Sequence, residues 1–234
     1  MREGDLAVIR EVPMFAGLAT SVLLQLLQGA TAEDLTKGRV IFQEGEPAEA
    51  FFVVLGGWVK VYRSLPNGEE AIIGIFGTGD SFAEVAVFAA TGYPASADAV
   101  ADARLLRVPS RIFRDRIATR PEIASRTMTH VTRKMRHLVD QVEQLKTQPG
   151  AHRLAAFLLN LTKQRAGAAI IPLPYDKALI ASQLGMKPES LSRALAKLRT
   201  LGVQTGQDSV SVADVSVLAD YCNYGTVCDK LSFR

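Results

Sequence analysis

Cysteine and histidine are scarce in this chain of 234 residues, which holds two cysteines, Cys222 and Cys228, and three histidines, His130, His137 and His152. Two cysteines near one end make no disulfide framework. Nor can they supply the four thiolates of an iron–sulfur cluster. Residues 1–120 contain no histidine, which argues against a cupin-type metal centre in that half. Nucleophile motifs and glycine-rich phosphate loops are also lacking, so no enzymatic activity is expected. No apolar run is long enough to cross a bilayer, and the N-terminus shows no basic-then-apolar leader. The expectation is a protein of the cytoplasm, with no membrane partner.

The net charge of +3 conceals an asymmetry. Residues 1–110 carry eight Lys and Arg against fourteen Asp and Glu, whereas residues 111–234 carry nineteen against ten. The second half is therefore the one suited to a polyanion.

Within that half, residues 176–201 read as two short helices broken at Gly185. Asp176 is placed to cap the first, whose Leu179, Ile180 and Leu184 share a face. Gly185 supplies the positive φ of a sharp turn. Pro188 suits the first position of the second helix because it has no amide hydrogen to leave unpaired. Leu191, Ala194, Leu195 and Leu198 form its inner face. Opposite them Glu189, Ser192 and Arg193 stand at i, i+3 and i+4 and can enter one groove. Arg193 suits a bidentate contact to guanine O6 and N7, and Glu189 can accept from cytosine N4. Ser190 and Ser192 add short hydrogen-bonding groups, while Lys187, Lys197 and Arg199 suit phosphates.

A helical hairpin with a solvated charged face would show the same pattern, so the flanks matter. After the second helix, Val203-Gln-Thr and Val210-Ser-Val, joined by a polar turn at Gly206, form a short hairpin. Before the first, Ala169-Ile-Ile-Pro-Leu reads as a strand. The whole segment from about Gly150 to Asp220 thus has the layout of a winged helix-turn-helix.

Residues 6–36 show helical spacing at Leu18, Val22, Leu23, Leu26 and Leu27, with a break at Pro13. Six strand-like runs follow, at Val40–Phe42, Ala50–Leu55, Trp58–Arg63, Ala71–Phe76, Ser96–Ala99 and Ala103–Val108, separated by glycine-bearing turns. Such spacing predicts a small sandwich or jelly roll. Pro121 then opens a helix to about Lys146, about 39 Å long at ~1.5 Å per residue. Met128, Val131, Met135, Leu138, Val142 and Leu145 recur in steps of three and four, and with Ile123 they suggest the seam of a two-chain coiled coil. Gln148-Pro-Gly ends the helix as a hinge. A long amphipathic helix lying on its own β domain is the other reading.

Several motifs now stand in order: Phe42-Gln-Glu-Gly-Glu-Pro, Gly57-Trp-Val-Lys-Val-Tyr, Gly79-Asp-Ser-Phe-Ala-Glu, Val87-Phe and Glu189-Ser-Leu-Ser-Arg193. Together they resemble the CRP/FNR family of bacterial transcription regulators along nearly the whole chain. The resemblance implies an α+β fold with a cyclic-nucleotide-binding-like β roll, a long dimerisation helix and a C-terminal winged helix-turn-helix. The corresponding divisions are an effector-sensing roll at 1–120, the dimer helix and hinge at 121–148, and the DNA-binding domain at 149–234. It also implies a homodimer on double-stranded palindromic DNA, an activator role, and RNA polymerase as a further partner. Glu189, Ser192 and Arg193 match the E-x-x-S-R pattern of the FNR-like branch. Pro188 stands where the cyclic-AMP-responsive branch has arginine, so a TTGA-like half-site is implied, with half-sites about one helical turn apart.

The same resemblance places an effector pocket at Phe82, Ala83, Glu84, Val85, Pro94, Ala95 and Ser96. Glu84 matches the carboxylate that cyclic-nucleotide binders use on the ribose. Their phosphate-holding Arg-Ser pair aligns with Pro94-Ala95, and a buried phosphate without a cation is costly. Cyclic AMP is therefore not the expected effector. Gly45-Glu-Pro-Ala, Phe82-Ala-Glu and Lys187-Pro-Glu-Ser resemble the Dnr-type branch, which is associated with haem. His130 and His137 lie one heptad apart beside the seam and His152 follows the hinge, where a structural or solvated role competes with iron ligation. The effector stays open. Cys222 and Cys228, spaced C-x5-C in an expected tail, read as surface thiols. A ligand-binding regulatory subunit of a larger enzyme is the alternative function, and the winged segment argues against it.

Overall fold

The run Ala50–Leu55 has no polar alternation because both of its faces are covered. Phe51, Val53 and Leu55 turn toward a cluster of helices, while Phe52 and Val54 turn into the space between two sheets. In the computed structural model, which describes residues 2–89, 92–162, 164–174, 176–206 and 209–230, this strand is the centre of the first of two units. The units span Met1–Arg136 and His137–Arg234.

The first unit runs α1 (Glu3–Glu11), α2 (Thr20–Leu26), β1 (Thr31–Leu35), β2 (Val40–Phe42), β3 (Ala50–Gly56), β4 (Trp58–Ser64), β5 (Glu70–Gly77), β6 (Ser81–Phe82), α3 (Glu84–Ala89), β7 (Ser96–Ala99), β8 (Ala103–Pro109), α4 (Ser110–Thr119) and the start of α5 (Pro121–Thr147). Two antiparallel four-stranded sheets result, ordered β1-β8-β3-β6 and β2-β7-β4-β5. Phe42, Phe52, Phe82 and Tyr93 fill the interior between them, with Phe42 and Tyr93 stacked at 3.8 Å. Outside β3 and β8, Phe51 meets Phe113 of α4 at 4.7 Å and Phe15 at 6.5 Å. This is the expected roll.

Two expectations are corrected here. Residues 31–35 are a strand and not the end of a helix, since Thr31↔Arg107 through Leu35↔Ala103 pair β1 with β8. Pairing with a formed sheet outweighs the weak local preference of Thr-Ala-Glu-Asp-Leu. Arg104 locks the edge by bonding both Asp34 and the buried Asp5 of α1. Ile123, in turn, is not at an exposed seam; it is 3% exposed and packs in the chain's own helix-and-strand core.

Helix α5 has two different faces. Ile123, Thr127 and His130 are buried at steps of four and three, so one stripe lies on the roll. Met128, Val131, Met135, Leu138 and Val142 are exposed on another. The side chain of Leu145 lies outside the described residues.

The second unit continues with α6 (Gly150–Asn160), β9 (Ala169–Pro172), α7 (Lys177–Gln183), α8 (Pro188–Arg199), β10 (Val203–Thr205), β11 (Ser209–Val212) and α9 (Val215–Lys230). Its three strands are ordered β10-β11-β9. Leu154 and Leu158 of α6, Ile180 of α7, Leu191 and Leu198 of α8 and Leu218 of α9 share one core. The expected C-terminal tail is thus helix α9. Cys222 sits on it half-buried, within 4.0 Å of the His152 carbonyl, and burial pushes its thiol up to about 11. A surface thiol is not what the structure shows there; the Cys228 side chain lies outside the described residues.

Candidate nucleic-acid interface and effector site

The helix-turn-helix forms as its local chemistry dictates. The Asp176 carboxylate accepts from the Leu179 amide at 2.8 Å, filling one of the free donors at the start of α7. Gly185 adopts φ +61, and the Met186 amide returns to Ala181 O at 2.8 Å. Pro188 opens α8. Leu191, Ala194 and Leu198 are buried and Leu195 partly so, which leaves the opposite face to solvent.

Glu189, Ser192 and Arg193 are exposed on that face. Taking about 100° per residue, they span roughly 100° around Glu189, with Lys197 and Arg199 about 80° to either side. The small side chain of Ala196 lies near the centre of this arc and is exposed. Arg193 Nη2 donates to Ser190 Oγ at 3.2 Å, and Ser192 Oγ donates to Pro188 O at 3.1 Å. Both bonds are local and solvent-exposed, so they are readily exchanged for base contacts. Lys187 is the exposed N-cap residue. Lys197 Nζ lies 5.8 Å from the Tyr221 ring, a contact to α9 that the sequence did not foretell. The wing is tied to α7, since Lys177 Nζ donates to Gly206 O at 3.2 Å.

In the first unit the position expected for an effector is centred on Glu84. Ala83 precedes it with φ +66, the one positive value at a non-glycine residue among those described. That conformation costs an L-residue roughly 1–2 kcal/mol, and strain of this kind collects at functional positions. It turns Glu84 inward to 4% exposure, beside Phe82 at 1%, while Val85 stays outside at 64%.

Lys134 Nζ donates to Glu84 Oε1 at 2.9 Å and Oε2 at 3.1 Å, and to Ser81 O at 2.6 Å. Ser81 Oγ donates to Glu84 Oε1, and His130 Nε2 lies 3.2 Å from the same oxygen. Burial raises the carboxyl's pKa, but the His130 bond, the Lys134 charge and the Ser81 bond outweigh it and hold the group at about 2. The Phe76 ring lies 5.6 Å from the ammonium. His130, Lys134 and Ser81 were absent from the expected site.

At the other end of the position, Ala95 is 3% exposed and Pro94 O accepts from Arg63 Nε at 2.8 Å. Ser96 Oγ accepts from the Glu44 amide at 3.0 Å. Pro94 and Ala95 offer no side-chain cation, and Arg63 is turned to the backbone and to Glu44, 3.7 Å away.

A haem does not fit at His130, whose Nε2 is engaged by Glu84 and Ser81 and whose ring is 5% exposed. His152 packs edge-on against Tyr221 at 4.2 Å. The His137 side chain lies outside the described residues.

Comparison with known proteins agrees with this geometry. The cyclic nucleotide-binding domain family matches residues 32–120, and the Crp-like helix-turn-helix domain matches residues 152–221. A CRP-like cAMP-activated global transcriptional regulator of Mycobacterium tuberculosis is 27% identical over 217 residues, covering 91% of this chain and 97% of its own. The structure of a candidate cyclic nucleotide binding protein from Ruegeria pomeroyi is 38% identical with a TM-score of 0.74, covering 94% of this chain and 98% of its own. FixK2 from Bradyrhizobium japonicum is 26% identical with a TM-score of 0.71, over 82% of this chain and 96% of its own. The Crp-like helix-turn-helix domain and the Mycobacterium relative, matched along nearly its whole length, are those of transcription regulators. The chain belongs to the CRP/FNR family of transcription regulators.

Proposed function

We infer that this regulator works as a homodimer joined along α5 and reads a palindrome of TTGA-like half-sites through Glu189, Ser192 and Arg193 of its two α8 helices. The carrying observation is the exposed strip on α5, where Met128 is 69%, Met135 63%, Leu138 55% and Val142 50% exposed. Apolar side chains at coiled-coil spacing favour a second helix over water. Val139, at 61%, widens the strip beyond the seam read from the sequence. Leu145 belongs to the proposed interface by sequence spacing alone.

In this reading residues 1–120 sense, 121–148 dimerise and hinge, and 149–234 bind DNA. Ser190 supports Arg193, and Lys187, Lys197 and Arg199 meet phosphates. RNA polymerase is the further partner of an activator working in the cytoplasm. A subunit of a larger enzyme would have no use for the exposed α8 triad. Sedimentation of the purified chain at micromolar concentration, followed by selection of its preferred duplex from a random pool, tests the reading. A monomer, or a selected sequence without two-fold symmetry, overturns it.

A further inference from the structure

A carboxylate taken out of water needs its acceptor positions filled and its charge balanced. At Glu84 both needs are met from inside the chain. Ser81, His130 and Lys134 occupy its two oxygens, and the three ammonium protons of Lys134 have three acceptors in Glu84 Oε1, Glu84 Oε2 and Ser81 O. Two of these partners, His130 and Lys134, stand one turn apart on α5, while Ser81 and Glu84 belong to β6 and α3 of the roll. The bonds therefore join the roll to the same stretch of helix whose other face carries Met128, Val131 and Met135.

We propose that His130 and Lys134 take the place of an effector at Glu84, fixing α5 on the roll so that the dimer reaches its DNA-binding form with no small molecule on this carboxylate. This rests on the dimeric DNA-binding reading given above. A ligand hydroxyl reaching for Glu84 meets acceptors already bonded to an ammonium, and a neutral donor is a weaker partner for a carboxylate than a charged one. The Lys134 side chain is 36% exposed, so its replacement opens no cavity in the core. Its loss leaves Glu84 charged, buried and short of its cation. Lys134 is thus a positioning residue, acting on DNA through the placement of α5.

The test uses the full chain, stripped of small molecules by unfolding and refolding, and a duplex selected by the unstripped protein. Stripped wild type should bind that duplex, and cyclic AMP or the small-molecule fraction of a cell extract should change its affinity less than about twofold. Lys134→Met should weaken binding about tenfold or more at unchanged dimer mass, and Lys134→Arg should restore it to within about threefold. Glu84→Gln/Lys134→Met should be no weaker than Lys134→Met alone, because the two groups act as one pair. A merely structural role would lower the melting temperature without this split between affinity and dimer mass. If Lys134→Met does not fold, the near-isosteric Glu84→Gln carries the test, and wild-type affinity in it overturns the proposal. Wild-type affinity in a folded Lys134→Met does the same, as does a stripped wild type that stays silent until extract is added. A wild type that binds no duplex, stripped or supplemented, overturns the regulator reading as well and is told apart in that way.

Discussion

Glu84 and Lys134 stand fifty positions apart in sequence and 2.9 Å apart in space. The pair joins the first residue of α3 to the middle of α5, with His130 and Ser81 completing the contacts. It makes the position where the sequence led us to expect an effector part of the roll's own interior, and it has a measurable signature in acid.

Glu84 is held at about 2 in the folded chain against a reference of 4.5. A depressed carboxyl stabilises the fold above the unfolded value and loses that contribution as pH falls through the folded one. We therefore expect stability to decline between about pH 4.5 and about pH 2, by roughly 3 kcal/mol from this group. Glu84→Gln should flatten that limb in urea titrations taken at several pH values. An unchanged acid limb would show that other carboxylates, such as Asp5 beside Arg104, account for it.

How far the sequence reaches depends on where each residue's partner lies. Asp176, Gly185 and Pro188 were legible because a cap, a positive φ and a first-turn proline are decided within a few residues. Strand β1 was not, since Thr31–Leu35 has no alternating apolar face and is held by β8, some seventy residues on. The strip on α5 was legible from its spacing, yet nothing in the sequence singled out Lys134, and at His130 a solvated or structural role competed with iron ligation. Their partner Glu84 lies forty-six positions from His130, and no local pattern marks such a pair. Helix α9 was taken for a tail because its buried residues, Val215 and Leu218, lie only in its first turn and make no long apolar stripe.

Dimerisation should depend on the strip of α5. Leu138 is 55% exposed, so a charge there leaves the isolated chain folded while opposing a partner helix. Each apolar side chain buried between two helices contributes about 1.5–3 kcal/mol. Leu138→Glu should sediment as a monomer at micromolar concentration, keep its melting cooperativity and lose affinity for the palindrome. A dimeric Leu138→Glu protein would place the interface elsewhere.

Cyclic AMP should not regulate this chain. Pro94 and Ala95 give its phosphate no charged side chain, the Pro94 carbonyl is already bonded to Arg63, and Glu84 is filled by Lys134. Calorimetry at millimolar nucleotide should register no saturable heat. Micromolar binding that also raised DNA affinity would mean that Arg63 had turned from Pro94 and Glu44 to the phosphate.

The recognition helix offers the sharpest separation of roles. Arg193 is exposed beside Glu189 and Ser192, and its bond to Ser190 Oγ is at the surface. Arg193→Ala should cost about 1–3 kcal/mol per half-site and relax the preference at one guanine, because a bidentate contact is lost. Glu189→Ala should relax discrimination at the paired cytosine with less loss of affinity, since a carboxylate near the backbone also repels phosphate. Lys197→Ala should weaken all sequences alike and flatten the salt dependence, as a phosphate contact does. Its cation lies beside Tyr221, so Tyr221→Leu should share part of that effect by freeing the lysine from the ring. The measurement is a titration against palindromes varied one base at a time at fixed salt. Equal weakening of every duplex by Arg193→Ala would make Arg193 a phosphate contact and would require α8 to enter the groove by a different face.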